Sequence, residues 1–311
     1  MRHSVANKSY AVLLKEEKMK NRVLLIFLVL AILGISACGS KPAEEDEEII
    51  SLPPVDSSAV DLPSVNVASF LIIDLESGES LLSLRENMQI QPASLTKLMT
   101  TYILLERVVS GEIYLDETVI ISANAASSVG SSAGIRAGAE MSIDSLIYCM
   151  LLPSGCDAAV AVAEFLFGSE EAMVEQMNKT AAALGMENTF FADSTGILFE
   201  QLITARDISL LVMRMLEIYP ALLDYTSEAE KTVYYDFHGR EQELLMSNTN
   251  LLLTDFDDVR GLKTGTIGEI RNIIIITEND TKQRMIVILG APDPASLWQS
   301  AHLLMEYEFE Q

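Results

Sequence analysis

Segments rich in β-branched residues lie near the beginning and near the end of residues 64–311, and most of the segments with a helical pattern lie between them. Val65–Leu75 and Ser80–Leu84 lie near the start, and Asn272–Thr277 and Met285–Leu289 lie near the end. Such runs are typical of strands and predict one sheet whose edges come from distant parts of the chain. Apolar residues recur at helical spacing in further segments, namely Ser94 to Val109, Ser142–Leu152, Ala158–Phe167, Glu171–Leu184, Ala205–Leu216 and Ala295–Tyr307. We therefore expect a mixed α/β fold forming one domain over 64–311.

The first 37 residues have the pattern of a signal peptide. The apolar run at 23–37 follows basic residues, and its 15 residues are too few for a bilayer span, which needs roughly 20. The run ends in the letters ISAC, which resemble the lipobox of bacterial lipoproteins, where the signal is cut before a cysteine that becomes lipidated. Here that cysteine is Cys38; a plain secreted protein or an uncleaved anchor is the alternative. Met19 would itself begin a normal signal peptide, so we expect 1–18 to be an over-extended gene start.

Composition restricts the function of the chain. Residues 38–63 contain an acidic run and several prolines, which predicts a disordered, lipid-anchored linker. The whole chain has 45 acidic and 21 basic residues, a net charge of −24, which argues against nucleic-acid binding. Three cysteines and three histidines form no C-x-x-C motif or ligand cluster, so we predict neither a metal site nor a cofactor.

A first motif, Ser94-Leu95-Thr96-Lys97, lies at the start of a predicted helix. Residues i and i+3 share a helix face, so the Ser94 hydroxyl and the Lys97 amine can meet. A serine becomes a good nucleophile when a neighbouring base, such as a neutral lysine, takes its proton. A helix N-terminus also directs free N–H groups at a developing oxyanion. Alone the motif is weak, because S-x-x-K arises about once by chance in a chain of this length.

Two further motifs follow in the same order along the chain. Ser154-Gly155-Cys156-Asp157 lies in a break between helices, where a second serine could relay a proton; an ordinary capping turn is the alternative. Lys263-Thr264-Gly265-Thr266 lies just ahead of a strand-like run. There a glycine would let a substrate backbone approach an edge strand, and the lysine and threonines could receive a carboxylate. A solvated loop is the alternative.

In this order the three motifs resemble the S-x-x-K, S-D-N and K-T-G signature of class A β-lactamases and penicillin-binding proteins. More specifically, the sequence resembles the serine-type D-alanyl-D-alanine carboxypeptidases, the low-molecular-mass penicillin-binding proteins, from about Val65 to the end. The segments PASLTKLMT at 92–100, MLLPSG at 150–155, MNKTAAALGMENTFF at 177–191 and NTNLL at 248–252 carry this resemblance. It implies a DD-peptidase/β-lactamase-like fold, with an antiparallel sheet flanked by helices and a helical lobe. We expect no C-terminal β domain.

The resemblance implies a role for each motif residue. Ser94 would be the acylated nucleophile, Lys97 its general base, and Ser154 a proton relay. Lys263 would supply positive charge that helps to keep Lys97 neutral. The substrate-binding residues would be Cys156, Thr264, Gly265 and Thr266, with the two threonines holding the terminal carboxylate. The N–H groups of Ser94 and Thr266 would form the oxyanion hole.

The implied reaction is acyl transfer to water, which releases the terminal D-Ala of a peptidoglycan stem peptide. The implied partners are stem peptides ending in D-Ala-D-Ala, β-lactam antibiotics and, through lipidated Cys38, the outer face of the bacterial membrane. A catalytically impaired cell-wall-binding lipoprotein and a β-lactamase are alternative functions. The β-lactamase lacks support, because the deacylating motif E-x-x-L-N that is expected of such an enzyme is absent. The segment Glu187–Phe191 is the nearest candidate and does not match this motif.

The sequence departs from the family pattern at two places. Cys156 stands where the family has an asparagine whose amide bonds both the lysine and the substrate, and a thiol is a weak donor and acceptor. Losing such a hydrogen bond costs about 1.5–3 kcal/mol, roughly 10- to 100-fold in rate, which predicts a slower rather than an inactive enzyme. Glu269-Ile270-Arg271 stands where small residues usually follow the third motif, so the substrate groove there is expected to differ.

Overall fold

The structure is a computed structural model, and it describes residues 64–279 and 282–307. The predicted signal peptide at 1–37, Cys38 and the predicted linker up to 63 lie outside the described residues. No helix in the described part of the chain is long and apolar enough to cross a bilayer.

The strands and helices alternate irregularly along the chain. In chain order the strands are β1 (Ser69–Asp74), β2 (Ser80–Leu84), β3 (Thr118–Ile120), β4 (Glu140–Ser142), β5 (Glu230–Asp236), β6 (Glu241–Ser247), β7 (Val259–Ile267), β8 (Ile270–Glu278) and β9 (Gln283–Ala291). The helices are α1 (Thr96–Ser110), α2 (Ala123–Ala126), α3 (Ile143–Leu151), α4 (Cys156–Phe167), α5 (Glu170–Ala183), α6 (Ala205–Ile218), α7 (Leu222–Thr226), α8 (Leu252–Asp255) and α9 (Pro294–Glu306).

The main sheet is antiparallel and has the strand order β2-β1-β9-β8-β7. Its edges, β2 and β7, come from distant parts of the chain, as the sequence predicted. Alternate isoleucines of β8 enter different cores: Ile274 and Ile276 face the helical lobe, whereas Ile273 and Ile275 pack in the core that includes Leu297 of α9. Both faces of the sheet are therefore covered, which explains why its inner strands are apolar throughout rather than alternating.

Helix α1 lies at the centre of the helical lobe. Every residue from Thr96 to Leu105 is buried, and the helices α3 to α6 all contact α1. Six helices predicted from apolar periodicity are present as α1, α3, α4, α5, α6 and α9, with ends that differ by at most two residues. The fold class expected from the resemblance, an antiparallel sheet with a helical lobe, is confirmed.

A second sheet, with the order β3-β4-β5-β6, corrects the prediction of a single sheet. Strands β3 and β4 have three residues each, too few to leave a periodic pattern. Strands β5 and β6 have the sequences EKTVYYD and EQELLMS, with most side chains exposed or half-buried. Glutamate and lysine are uncommon in strands, so sequence alone does not indicate strands there.

Asn272 joins the main sheet to the segment that precedes α1. Its side chain is fully buried, and its Nδ2 donates to the carbonyl oxygens of Gln91 at 2.9 Å and Pro92 at 3.0 Å. Its Oδ1 accepts from the backbone N–H of Gly290 at 2.9 Å. The side-chain amide of Asn272 therefore holds the segment that leads into α1 against β8 and the end of β9.

Replacing Asn272 by alanine should lower the free energy of unfolding by about 2–4 kcal/mol, since three buried hydrogen bonds are lost at about 1 kcal/mol each. Asn272→Asp should be similarly destabilising, because a carboxylate cannot donate to the two carbonyls. Asn66→Ala is the control, since Asn66 makes an exposed hydrogen bond to Ser296; it should cost less than about 0.5 kcal/mol. Urea denaturation measures all three, and equal effects at Asn272 and Asn66 would contradict this role.

Candidate active site

Ser94 lies in a single 3-10 turn, Ala93–Leu95, that leads directly into α1. The sequence predicted Ser94 at a helix N-terminus, and the structure confirms it. Two glycines let other segments approach this turn. A Cβ on Gly196 would lie 1.8 Å from the Ala93 carbonyl oxygen, and one on Gly265 would lie 2.8 Å from the Pro92 oxygen. Gly265 therefore makes room for the segment preceding the nucleophile.

Lys97 is the direct partner of Ser94. Its Nζ donates to Ser94 Oγ at 3.0 Å and to the carbonyl oxygen of Thr195 at 2.7 Å, and its side chain is fully buried. The contact between i and i+3 predicted from the motif is therefore present. If Lys97 loses one proton, its lone pair can accept the Ser94 hydroxyl hydrogen while an N–H still bonds Thr195.

Burial lowers the pKa of Lys97 below its ordinary value of 10.5, because the charged form loses its hydration. Interactions with the side chains of Cys156, Asp193 and Asp157 oppose this effect. Burial also lowers the pKa of Lys263, and repulsion from Lys97 lowers it further. The repulsion between two amines is mutual, so the site disfavours two positive charges at once. The chief cause of the lowered pKa of Lys97 is burial; the resemblance had implied that the charge of Lys263 helps to keep Lys97 neutral.

Asp193 organises the loop that supplies the Thr195 carbonyl. Its carboxylate accepts hydrogen bonds from the backbone N–H groups of four consecutive residues, 195 to 198. Burial raises the pKa of Asp193, but the bonds from Leu198, Gly196 and Thr195 outweigh it and lower the pKa overall. The ionised carboxylate thus holds the loop in place against Lys97 and Ala93.

Ser154 lies between α3 and α4 in a left-handed conformation, with a φ of 65°. It lines the same cleft as Ser94. Its carbonyl oxygen accepts from Ser131 Oγ at 2.6 Å. Within the described residues its own Oγ is buried and has no hydrogen-bond partner. The structure therefore brings Ser154 into the site, but it gives no hydrogen bond between Ser154 and Lys97.

Cys156 is the first residue of α4 and is 1% exposed. Its Sγ lies 3.8 Å from Ser131 Oγ, and its backbone N–H donates to the Ser131 carbonyl at 2.7 Å. Its side chain interacts with the amine of Lys97 and raises the pKa of that amine, so the thiol lies beside Lys97, where the resemblance places an asparagine amide. Cys149 and Cys156 are both free thiols.

The third motif lies within the edge strand β7, not just ahead of a strand as the sequence analysis expected. Four glycine or threonine positions in this strand weaken its apolar pattern, which explains the difference. Lys263 is buried, and its Nζ donates to the Thr264 carbonyl oxygen at 3.0 Å. The Thr264 hydroxyl lies 2.6 Å from that of Thr249. Thr264 and Thr266 thus stand at the open edge of the main sheet.

These elements enclose a cleft of about 360 Å³. Three serines and three threonines line it, with one charged side chain and an apolar wall from α9; the full set is Ser94, Ser131, Pro153, Ser154, Thr249, Thr264, Thr266, Arg271, Pro294, Leu297 and Trp298. Ser131 and Asp193 were missed by sequence reasoning. Thr249 lies in the segment 248–252, which carried the resemblance, and Arg271 was noted only as a departure from the family pattern. The sequence therefore contained a signal for both residues.

The hydroxyl of a serine is bonded to a buried lysine at the start of a central helix, beside an edge strand. This arrangement defines a class of serine enzymes in which the serine is the nucleophile and the lysine is the base. The family model described as D-alanyl-D-alanine carboxypeptidase matches residues 56–293. The chain therefore belongs to the D-alanyl-D-alanine carboxypeptidase family.

Three relatives illustrate the range of this family. D-alanyl-D-alanine carboxypeptidase DacF of Bacillus subtilis is 31% identical over 245 residues, which cover 78% of this chain and 62% of DacF. A D-alanyl-D-alanine endopeptidase of Pseudomonas aeruginosa is 30% identical over 224 residues, which cover 71% of this chain and 70% of that protein. The crystal structure of D-alanyl-D-alanine carboxypeptidase DacD from Francisella tularensis superposes with a TM-score of 0.68 at 28% identity, covering 85% of this chain and 73% of that one. The chain thus spans less than two thirds of the length of DacF.

Proposed function

We propose that this protein is a serine-type D-Ala-D-Ala carboxypeptidase that removes the terminal D-Ala from peptidoglycan stem peptides. The observation that carries this proposal is the 3.0 Å contact between Ser94 Oγ and the buried Nζ of Lys97. Membership of the carboxypeptidase family supports the choice of substrate. The alcohol-lined cleft beside an edge strand supports binding of a peptide backbone.

In the first half-reaction, neutral Lys97 accepts the hydroxyl proton of Ser94 as Oγ attacks the carbonyl carbon of the penultimate D-Ala. The new C–O bond replaces the C–N bond to the terminal D-Ala, whose amine leaves with a proton delivered from the site, with Ser154 as the relay. The backbone N–H groups of Ser94 and Thr266 stabilise the oxyanion. Water then attacks the ester with Lys97 again as base, releasing the shortened peptide and the free serine.

The position of the third motif suits this substrate. An edge strand has unpaired backbone groups that can hydrogen-bond an extended peptide. On β7 these groups lie next to the hydroxyls of Thr264 and Thr266, which line the cleft together with Ser94. A peptide added to β7 can therefore place a carbonyl at Ser94 and its C-terminal end among the threonines.

Replacing Ser94 by alanine should abolish both D-Ala release from a Lys-D-Ala-D-Ala peptide and covalent labelling by a fluorescent penicillin, while thermal unfolding stays close to that of the wild type. Gel fluorescence and a D-Ala assay measure the two activities. Label persisting on Ser94→Ala would place the nucleophile elsewhere and overturn the proposal.

A cell-wall-binding protein with impaired catalysis is a second candidate function, and Cys156 is the observation that favours it. The thiol occupies the place of a stronger hydrogen-bonding amide beside Lys97. Such a protein would be labelled by penicillin without releasing D-Ala. A β-lactamase would instead hydrolyse penicillin rapidly; Glu187, the nearest carboxylate to the expected motif, is exposed and does not line the cleft.

Replacing Cys156 by asparagine, which has a similar volume, should raise the rate of D-Ala release about 10- to 100-fold, because an amide restores a strong hydrogen bond next to the amine. Steady-state kinetics on the same peptide measures this. Cys149→Ala serves as the control, since Cys149 is a buried thiol outside the cleft lining. An unchanged or lower rate in Cys156→Asn would contradict this interpretation of the departure.

We further propose that the protein is a lipoprotein, held by lipidated Cys38 on the outer face of the bacterial membrane, where it meets peptidoglycan and β-lactams. The lipobox-like residues before Cys38 support this, and the several acyl chains of a lipoprotein would hold the protein firmly. Mass spectrometry of the mature N-terminus should find a diacylglyceryl group on Cys38. A mature chain that begins elsewhere, or a bare Cys38, would refute it.

A further inference from the structure

A second pocket, of about 330 Å³, borders the loop 195–198 beside the active-site cleft. We infer that this pocket binds the positively charged side chain of the residue that precedes the two D-alanines, and so makes the enzyme selective for stem peptides with a free side-chain amine at that position. The inference rests on the proposed function, because the pocket would receive another part of the same substrate.

The pocket and the cleft share a wall. Val129 lines the pocket and Ser131 lines the cleft. Gly130, between them in the chain, packs so closely against Ile197 of the pocket lining that a Cβ on the glycine would collide with it. A substrate in the cleft therefore has to cross only this wall to enter the pocket.

The pocket also begins close to the nucleophile. Thr195 lines it, and the carbonyl oxygen of Thr195 accepts from Lys97. Because Lys97 Nζ lies 3.0 Å from Ser94 Oγ and 2.7 Å from this carbonyl oxygen, the two oxygens are less than 6 Å apart.

The direction of the substrate leads towards the pocket. The start of α1 is approached by β7 at Gly265 and by the loop 195–198 at Gly196. The proposed function places the C-terminal end of the peptide on β7, among Thr264 and Thr266, so the residues before the broken bond extend towards the loop. An extended chain advances about 3.5 Å per residue. The residue before the two D-alanines lies one residue from the attacked carbonyl, so a side chain as long as that of lysine reaches the pocket.

The charge of the pocket suits a cation. Glu170 and Asp193 line it, and no lysine, arginine or histidine does. Asp193 already accepts from four backbone N–H groups, so it contributes charge rather than a free oxygen. Glu170 accepts from the Ser194 hydroxyl at 2.5 Å through Oε1. Across 64–279 and 282–307 no basic side chain forms an ion pair with it, so its other oxygen is left for a ligand.

Other groups of the pocket match the remaining parts of such a side chain. An ammonium has three N–H donors. Besides Glu170, the acceptors in the lining are the side-chain oxygen of Asn124 and Ser128 Oγ, which is buried and has no hydrogen-bond partner among the described residues. Val160 and Leu198 provide apolar surface for the methylene groups of the side chain.

This arrangement discriminates between two forms of one peptide. Acetylation of the side-chain amine removes its charge and leaves a single N–H donor, so an acetylated peptide would leave the Glu170 carboxylate without a counter-ion. A free amine pairs with that carboxylate instead.

The test compares D-Ala release from Nα-acetyl-Lys-D-Ala-D-Ala with release from the Nα,Nε-diacetyl peptide. In the wild type, kcat/KM should be about 10-fold higher for the free amine, the low end for a hydrogen bond to a charged group, because Glu170 is only half-buried. Glu170→Gln keeps the volume and an acceptor for Ser194. It should lower this ratio to less than about 2-fold through the free-amine peptide alone, and added salt should weaken the wild-type preference.

Glu171→Gln is the matched control. Glu171 is the next residue of α5, is exposed and does not line the pocket, so the ratio should stay at the wild-type value. Equal rates on both peptides in the wild type, or a ratio that Glu170→Gln leaves unchanged, would overturn the inference and leave the proposed function intact. Equal losses on both peptides in Glu170→Gln would show a merely structural role through Ser194 and would also overturn it.

Competition with fluorescent penicillin separates this inference from the proposed function. The free-amine peptide should slow labelling of Ser94 at a lower concentration than the diacetyl peptide does, and Glu170→Gln should remove the difference. A wild type that shows this difference but releases no D-Ala from either peptide would overturn the proposed function while supporting the inference.

Discussion

The rest of the site depends on keeping the amine of Lys97 out of water and in contact with Ser94. In water a lysine is protonated at neutral pH and cannot accept a proton, so a serine beside it would stay inert. Here α1 is buried over its first three turns, and the Lys97 side chain is fully buried with it. The carbonyl of Thr195 accepts one hydrogen from the amine, which orients the others, or a lone pair, towards Ser94.

Most of the surrounding architecture serves to hold other segments against the start of α1. Asp193 fixes the loop that carries Thr195, and Asn272 fixes the residues just before Ser94 to the sheet. Gly196 and Gly265 allow these segments to approach where a side chain would collide. Both faces of the main sheet are packed, so its open edge, β7, is held in place as one wall of the cleft.

The parts of this site that sequence could predict are those that depend on neighbours along the chain. The contact of Ser94 with Lys97 follows from helical spacing alone, and six helices follow from apolar periodicity. That Ser154 and the third motif lie around Ser94 could be predicted only from the family resemblance, because contacts between distant segments leave no local pattern in the sequence. The roles of Asp193 and Ser131 depend on how two loops pack, which the sequence does not indicate. The second sheet consists of short, half-exposed strands, so the sequence did not predict it either. Arg271 was visible only as a departure, and its place in the cleft became clear from the pairing of β7 with β8.

The pH dependence of Ser94 acylation by benzylpenicillin tests the central claim most directly. Because burial lowers the pKa of Lys97, the neutral base should already be populated below its ordinary value of 10.5. The acylation rate should therefore fall as the pH drops through a single ionisation with a midpoint below 10.5, and that limb should vanish with the activity in Lys97→Met. A midpoint at or above 10.5, or a variant without Lys97 that keeps the same profile, would contradict the account.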